Sequence, residues 1–445
     1  MMMAAGVKIE VDEIIPIIID PDAANADLTR TVSLMNNYRK IRNYLSFPKE
    51  NNNTFFRKEL GKVLNNYTLH INDTGDKKFQ DFIELSSMDR TNQAFCRMLF
   101  SEKNLTSKMD VGFKGNPNIG SVVLNQIVNS DDFASFANSF EQGDKIFIIS
   151  SIFGGTGASG FPLLLKTLRT GNNFPNNDII NKAEIGAITI LPYFKLEVDD
   201  NSEIDSSTFI SKTKSALSYY ENNISKNDQI NALYYLADNV TNTYENHEGG
   251  TSQQNDAHLI EFMASSAIVD FCNCEHQTNT NKELGIKDIT GNVSFNSFYD
   301  NLTDWLCLPL TQFVLMANCF KNQSDYVTST RLQANNKTGF VEHGLYDNQF
   351  FSTFKKFIEE YREWLKEMKS NKRSLDLFNL ECGDKPFDVV TGIKPQKVRS
   401  IYSNYDLFFD RLNDAIKHCN GDDNNKLLEM YSVATKKLSK EKFNF

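Results

Sequence analysis

Gly154, Gly155, Gly157 and Gly160 crowd into a single short stretch, the part of this chain whose residue types most directly suggest chemistry. They follow the apolar run Ile146, Phe147, Ile148 and Ile149, which is too short for a buried helix and suits a strand covered on both faces. Glycine tolerates positive φ and carries no side chain to keep an anion off the backbone. The stretch therefore predicts a loop whose amides, from Gly154, Gly155, Thr156, Gly157, Ala158 and Ser159, can lie against a phosphate. Pro162 fits the first turn of the helix that follows, which would present its positive end to the same phosphate.

The residues alone leave more than one chemistry open. A P-loop is excluded, because no Lys-Ser or Lys-Thr pair follows Gly160. Gly155, Gly157 and Gly160 satisfy G-x-G-x-x-G between a strand and a helix, which fits a dinucleotide such as NAD or FAD. The acid that would hold a ribose belongs about 20 residues further on, where the chain reads GNNFPNNDII with Asp178 as its only acid. A purely structural glycine turn is the third reading. Asp20, Asp22 and Asn25 leave the carboxyl end of an apolar run at residues 14–20, where open α/β sheets bind ligands, and they equally suit a capped helix start. Cys272, Cys274 and His276 lie close together, but their spacing matches no standard zinc site, and no metal site is predicted.

Composition bounds the possibilities. A chain of 445 residues, 40% apolar and 23% charged, can hold two or three domains with real cores and is ordinary for a soluble globular protein. A net charge of -10 argues against general nucleic-acid binding, and the basic stretch 366–373 reads as a solvated helix face. Seven cysteines without CxxC spacing point to reduced thiols and a cytoplasmic protein. No run reaches the ~18 apolar residues of a membrane span, and the opening MMMAAGVKIEV does not read as a signal peptide.

These residues need elements to position them. Patterning predicts strands over 14–20, 146–149, 184–196, 232–239 and 387–393. Helices are predicted over 38–45, 92–99, 121–128, 131–140, 213–222, 255–271, 305–320, 350–368, 405–418 and 426–438, with a polar linker at 245–254.

With that order in place, FGGTGASGFP resembles the tubulin and FtsZ signature GGGTG(S/T)G, with Phe153 in place of the first glycine and Ala158-Ser159-Gly160 in place of the Ser/Thr-Gly pair and the residue after it. GNPNIG, which contains Gly115 and Asn116, resembles the loop that holds the terminal phosphate in that family. The run ending in Leu191-Pro192-Tyr193-Phe194 is similar to the family strand that ends in a Pro-Phe turn and an acid, here Glu197. Asn239, beside Asp238, stands where the family reads guanine, and an amide can meet a donor and an acceptor of guanine together. The helix from Asn255 resembles the family's joining helix, with Asn255 and His258 at its head near the base. The catalytic loop is best matched by Asn292, Ser294 and Ser297, two serines replacing acids, with Asp300 and Asp304 as the acids of a shifted loop. The family's first glycine loop has no counterpart before residue 14.

The resemblance covers roughly residues 14–300. It implies an α/β fold: a mostly parallel Rossmann-like GTPase sheet with helices on both faces, a joining core helix and a divergent helix-rich C-terminal domain. The expected divisions are 1–254 for nucleotide binding, 255–285 for the joining helix and an insertion, and 286–445 for the C-terminal domain. It further implies GTP or GDP with Mg²⁺, head-to-tail self-association into filaments, and weak or absent hydrolysis. An NAD- or FAD-binding oxidoreductase and a non-hydrolysing scaffold are the alternatives.

Overall fold

The structure is a computed structural model. It describes residues 1–22, 25–72, 74–75, 77–109, 113, 115–197, 206–227, 229–245, 250–252, 254–275, 285–287, 291–327, 348–396 and 405–445. The strands are β1 (Glu13–Ile14), β2 (Glu59–Leu60), β3 (Lys145–Ser151), β4 (Glu184–Ile190), β5 (Lys195–Leu196), β6 (Ala232–Leu236) and β7 (Thr243–Tyr244). The longer helices of the first half are α1 (Ala26–Asn43), α2 (Arg90–Leu99), α3 (Pro117–Leu124), α4 (Asp131–Ser139), α5 (Gly155–Thr170) and α6 (Phe209–Tyr220). Those of the second half are α7 (Leu259–Asn273), α8 (Asp300–Val327), α9 (Gln349–Ser370), α10 (Tyr405–Ile416) and α11 (Asp423–Phe443).

The fold is mixed α/β with small, wholly parallel sheets. The largest has the order β3-β4-β6, with Ile148 opposite Ala187 and Ile188 opposite Tyr234. Side chains alternate across a strand, so Ile146, Ile148, Ile185, Ala187 and Leu233 share one face. They pack on Phe161, Leu165 and Leu168 of α5, with Phe209 and Tyr220 of α6 beside them. Phe147, Ile188 and Tyr234 occupy the other face, under Ala264 and Ala267 of α7. Helices thus pack on both faces of these three strands, but the cover is incomplete, since Ile149 of β3, expected to be buried, is 51% exposed. Close approach on the second face depends on Gly186, where a Cβ would lie 2.6 Å from the Phe271 ring and 2.8 Å from Phe147.

The expected strand at 14–20 is much reduced. Only Glu13 and Ile14 pair, with Glu59 and Leu60, and Ile18 makes one further parallel bridge to Thr68. Residues 387–393 form turns with a single bridge from Val390 to Phe378, because the apolar side chains Phe387, Val389 and Val390 insert singly into the helical core and line no sheet. The helix expected from residue 121 begins at Pro117, capped by the Asn116 side chain.

The hydrophobic cores divide differently from the boundary expected at 254. Met2, Val7, Tyr38, Ile41, Phe55 and Phe56 join the core built by α8, α9 and α11, a cluster separate from the one that covers the β3-β4-β6 sheet. Polar pairs fix this arrangement. Along α1 and α9, Arg30 forms a two-pronged pair with Glu367, Asn37 donates to Glu360, and Tyr44 donates to Gln349. Positions 30 and 37 are one heptad apart, which keeps them on one face of α1, and Tyr44, the C-cap, follows at the same spacing. On α11, Asn425, Glu429 and Ser432 accept from the backbone N–H groups of Ser46, Asn52 and Thr54.

Candidate functional site

The carboxyl ends of β3, β4 and β6 lead into the residues the sequence singled out. After β3, Gly154 is the N-cap of α5, with φ -80° and ψ 172°, and no side chain caps the helix. The glycine stretch is therefore the first turns of a helix, where a loop was expected, and Pro162 lies inside that helix and not in its first turn. None of Gly154, Gly155, Gly157 and Gly160 adopts positive φ. Their use is room. A Cβ on Gly155 would stand 3.2 Å from the Gly115 and Asn116 nitrogens, one on Gly157 would stand 2.8 Å from the Ser151 nitrogen, and one on Gly160 would stand 3.2 Å from Leu124.

The second predicted loop meets this turn. Gly115 has φ +71°, a left-handed conformation that favours glycine, and Asn116 caps α3 by accepting from Asn118 and Ile119. The α3 and α5 N-termini therefore lie side by side. The first N–H groups of α5 have no acceptor within their own helix, and the helix dipole makes this end a place for an anion. Lys212 of α6 donates to the Gly115 carbonyl at 3.1 Å and brings a cation to the same turn. Nothing in the sequence around Lys212 marks it out, because only tertiary packing carries α6 to this loop. Beneath the turn, the Ser150 and Thr189 hydroxyls sit in register on β3 and β4, buried and without partners among the described residues. Thr156, Gly157 and Ala158 are half-buried. The Ser159 hydroxyl is buried and turned back, donating to the Gly155 carbonyl at 2.7 Å.

The N-terminal acids chiefly organise the backbone. Asn25 caps α1, accepting from Asp27 and Leu28. Asp20 accepts from the Asp22 N–H, and burial raises its carboxyl above the ordinary range. Asp22 accepts from the Gly250 N–H at 2.7 Å. Asn255 donates twice to Asp27, from its backbone and its side chain, so the approach to α7 is tied to the start of α1. Glu197 is exposed just after β5, with its backbone N–H on the Tyr244 carbonyl.

At the end of β6, Asn239 is exposed, and its backbone N–H donates to Asp238 Oδ1 at 2.8 Å. His258 is the N-cap of α7. It is only 6% exposed, although a histidine at a helix head usually lies on the surface. Its Nδ1 accepts from the Ile260 N–H at 3.1 Å, and burial lowers its pKa to about 4. The neutral ring must then carry its proton on Nε2, which is buried and has no partner among the described residues. The Tyr193 ring lies 4.7 Å away and the Tyr244 ring 6.2 Å away.

Asn292, Asp300 and Asp304 are exposed, and no hydrogen bond or ion pair among the described residues joins them to residues 154–160. Ser294 and Ser297 cap one short turn reciprocally, the Ser294 N–H donating to the Ser297 hydroxyl at 3.0 Å. Cys274 donates to Asp270, which also accepts from the Tyr234 hydroxyl at 2.7 Å, while His276 lies outside the described residues. All seven cysteines are free, and no His, Cys, Asp and Glu cluster among the described residues could hold a metal ion. Among the described residues, no helix is long and apolar enough to cross a membrane. No family model, curated protein or solved structure matches the chain.

Proposed function

We propose that this chain is a guanine-nucleotide-binding protein of the tubulin and FtsZ kind, with its phosphates at the first turn of α5. The observation that carries the reading is the uncapped start of α5 at the carboxyl end of a parallel strand, seated on Gly115 and Asn116 with Lys212 alongside. In this reading the α5 amides and Lys212 hold phosphate oxygens, while the turn after β6 and the head of α7 face the base. Mg²⁺ would be held largely by the phosphates and water, which suits an ion that needs only one or two carboxylates from the protein. GTP or GDP supplies the charge and the guanine edge. The chain's own residues bind and orient it.

Hydrolysis is weak in this proposal. Ser294 and Ser297 are engaged with each other and offer no carboxylate to orient water. Self-association is head to tail, an open geometry that builds filaments, and the protein works in the cytoplasm. A scaffold that retains nucleotide without turnover is the second reading, favoured by the same serine pair. The test is to release and identify the nucleotide that co-purifies with the folded chain, then titrate GTP, ATP and NAD into the stripped protein. Guanine nucleotide in the preparation and a clear preference for GTP are expected. A nicotinamide or flavin in the preparation, or equal binding of GTP and ATP, would sink the guanine reading.

A further inference from the structure

Three consecutive residues just past the end of α9 grip the elements that face the proposed base. Asn371 donates to the Ala257 carbonyl at 3.1 Å and accepts from the Tyr244 hydroxyl at 2.7 Å. Lys372 donates to the Thr243 carbonyl and lies over the Tyr244 ring, 5.1 Å from its centroid. Arg373 donates from Nε to Asp238 Oδ2 at 2.6 Å and from a terminal nitrogen to the Gly291 carbonyl at 3.0 Å. The Arg373 and Asp238 side chains are 14% and 12% exposed, so the pair is largely withdrawn from water. The other Asp238 oxygen holds the Asn239 backbone. A continuous path thus runs from Arg373 through Asp238 to Asn239, and a parallel one runs from Asn371 to the residue before His258. The planar guanidinium fork sets an angle as well as a distance, which a lysine in its place would not do.

We propose that Asn371, Lys372 and Arg373 are positioning residues that hold the turn after β6 and the head of α7 in the geometry that distinguishes one base from another. The proposal rests on the nucleotide reading above. None of the three need touch the ligand. They act through Asp238, Tyr244 and Ala257, so base choice depends on residues some 130 positions away in the helical half.

The experiment measures GTP and ATP affinity by calorimetry, together with the thermal midpoint, for the full chain and for Arg373→Ala, Arg373→Lys and Lys372→Ala. Arg373→Ala should weaken GTP by about tenfold or more, as expected for losing a buried hydrogen-bonded charge partner, while weak ATP binding stays put. The GTP-to-ATP ratio then falls. Arg373→Lys should recover part of that ratio by restoring the charge. Lys372 is exposed, so Lys372→Ala should fold normally and still lower the ratio several-fold. If Arg373→Ala does not fold, the other two variants decide. Unchanged ratios in folded variants, with only the thermal midpoint lowered, would make the triplet merely structural and overturn the proposal. An unmutated chain that binds GTP no better than ATP would overturn the nucleotide reading and this proposal with it.

Discussion

Lys212 and His258 are the residues whose surroundings say most about the site. Lys212 holds the Gly115 carbonyl beside the α5 start. On the proposed reading, Lys212→Ala should cost about 1.5–3 kcal/mol in GTP binding, the range for a hydrogen bond to a charged group. Titration calorimetry of the stripped variant checks this, and unchanged affinity would remove Lys212 from the site. His258 makes a separate prediction about pH. Its folded pKa, about 4, lies below the ordinary 6.5, so the unfolded chain takes up a proton that the folded chain refuses. The stability this contributes is fully present above pH 6.5 and is lost as pH falls from there toward 4. The loss amounts to a few kcal/mol, at about 1.4 kcal/mol for each pH unit between those two values. Urea unfolding of the unmutated chain and of His258→Asn, compared between pH 7 and pH 4.5, should show a steeper acid loss in the unmutated chain. Parallel curves would mean that His258 does not titrate as its burial implies.

At the scale of elements, the first turn of α5 decides how the glycines are understood. The motif and the strand before it were legible from residue types, since an apolar run followed by clustered glycines and a proline has few other readings. What glycine does there was not legible. Pattern cannot tell a residue that needs positive φ from one that needs an absent side chain, and here each glycine faces a neighbouring backbone or side chain. Gly157→Val should therefore act first on the fold, destabilising by roughly 1–3 kcal/mol or more, because its Cβ meets the Ser151 backbone. Thermal unfolding without ligand reads this directly. An unchanged midpoint with nucleotide binding abolished would instead place the anion where that side chain points. Asn116, read from sequence as part of a phosphate loop, proved to cap α3, a role its residue type equally allows.

At the scale of the molecule, the expectations concern turnover and assembly. The unmutated chain should hold GTP and hydrolyse it slowly even when concentrated, and fast, concentration-dependent phosphate release would point to Asp300 or Asp304 as working acids. The two serines differ as targets. Ser294→Asp keeps a good capping side chain, whereas Ser297→Asp puts a carboxylate at a buried position and should destabilise the protein before any effect on rate is visible. Sequence alone determined the strands β3, β4 and β6, the long helices of the second half and the order of the candidate loops, because each rests on local periodicity or turn chemistry. Tertiary structure alone decided that Met2, Val7, Tyr38, Ile41, Phe55 and Phe56 pack into the helical half, that Lys212 reaches Gly115 and that Arg373 holds Asp238. Those contacts join residues about 100 or more positions apart, and no local pattern encodes which distant polar group a side chain will meet once its helix is packed.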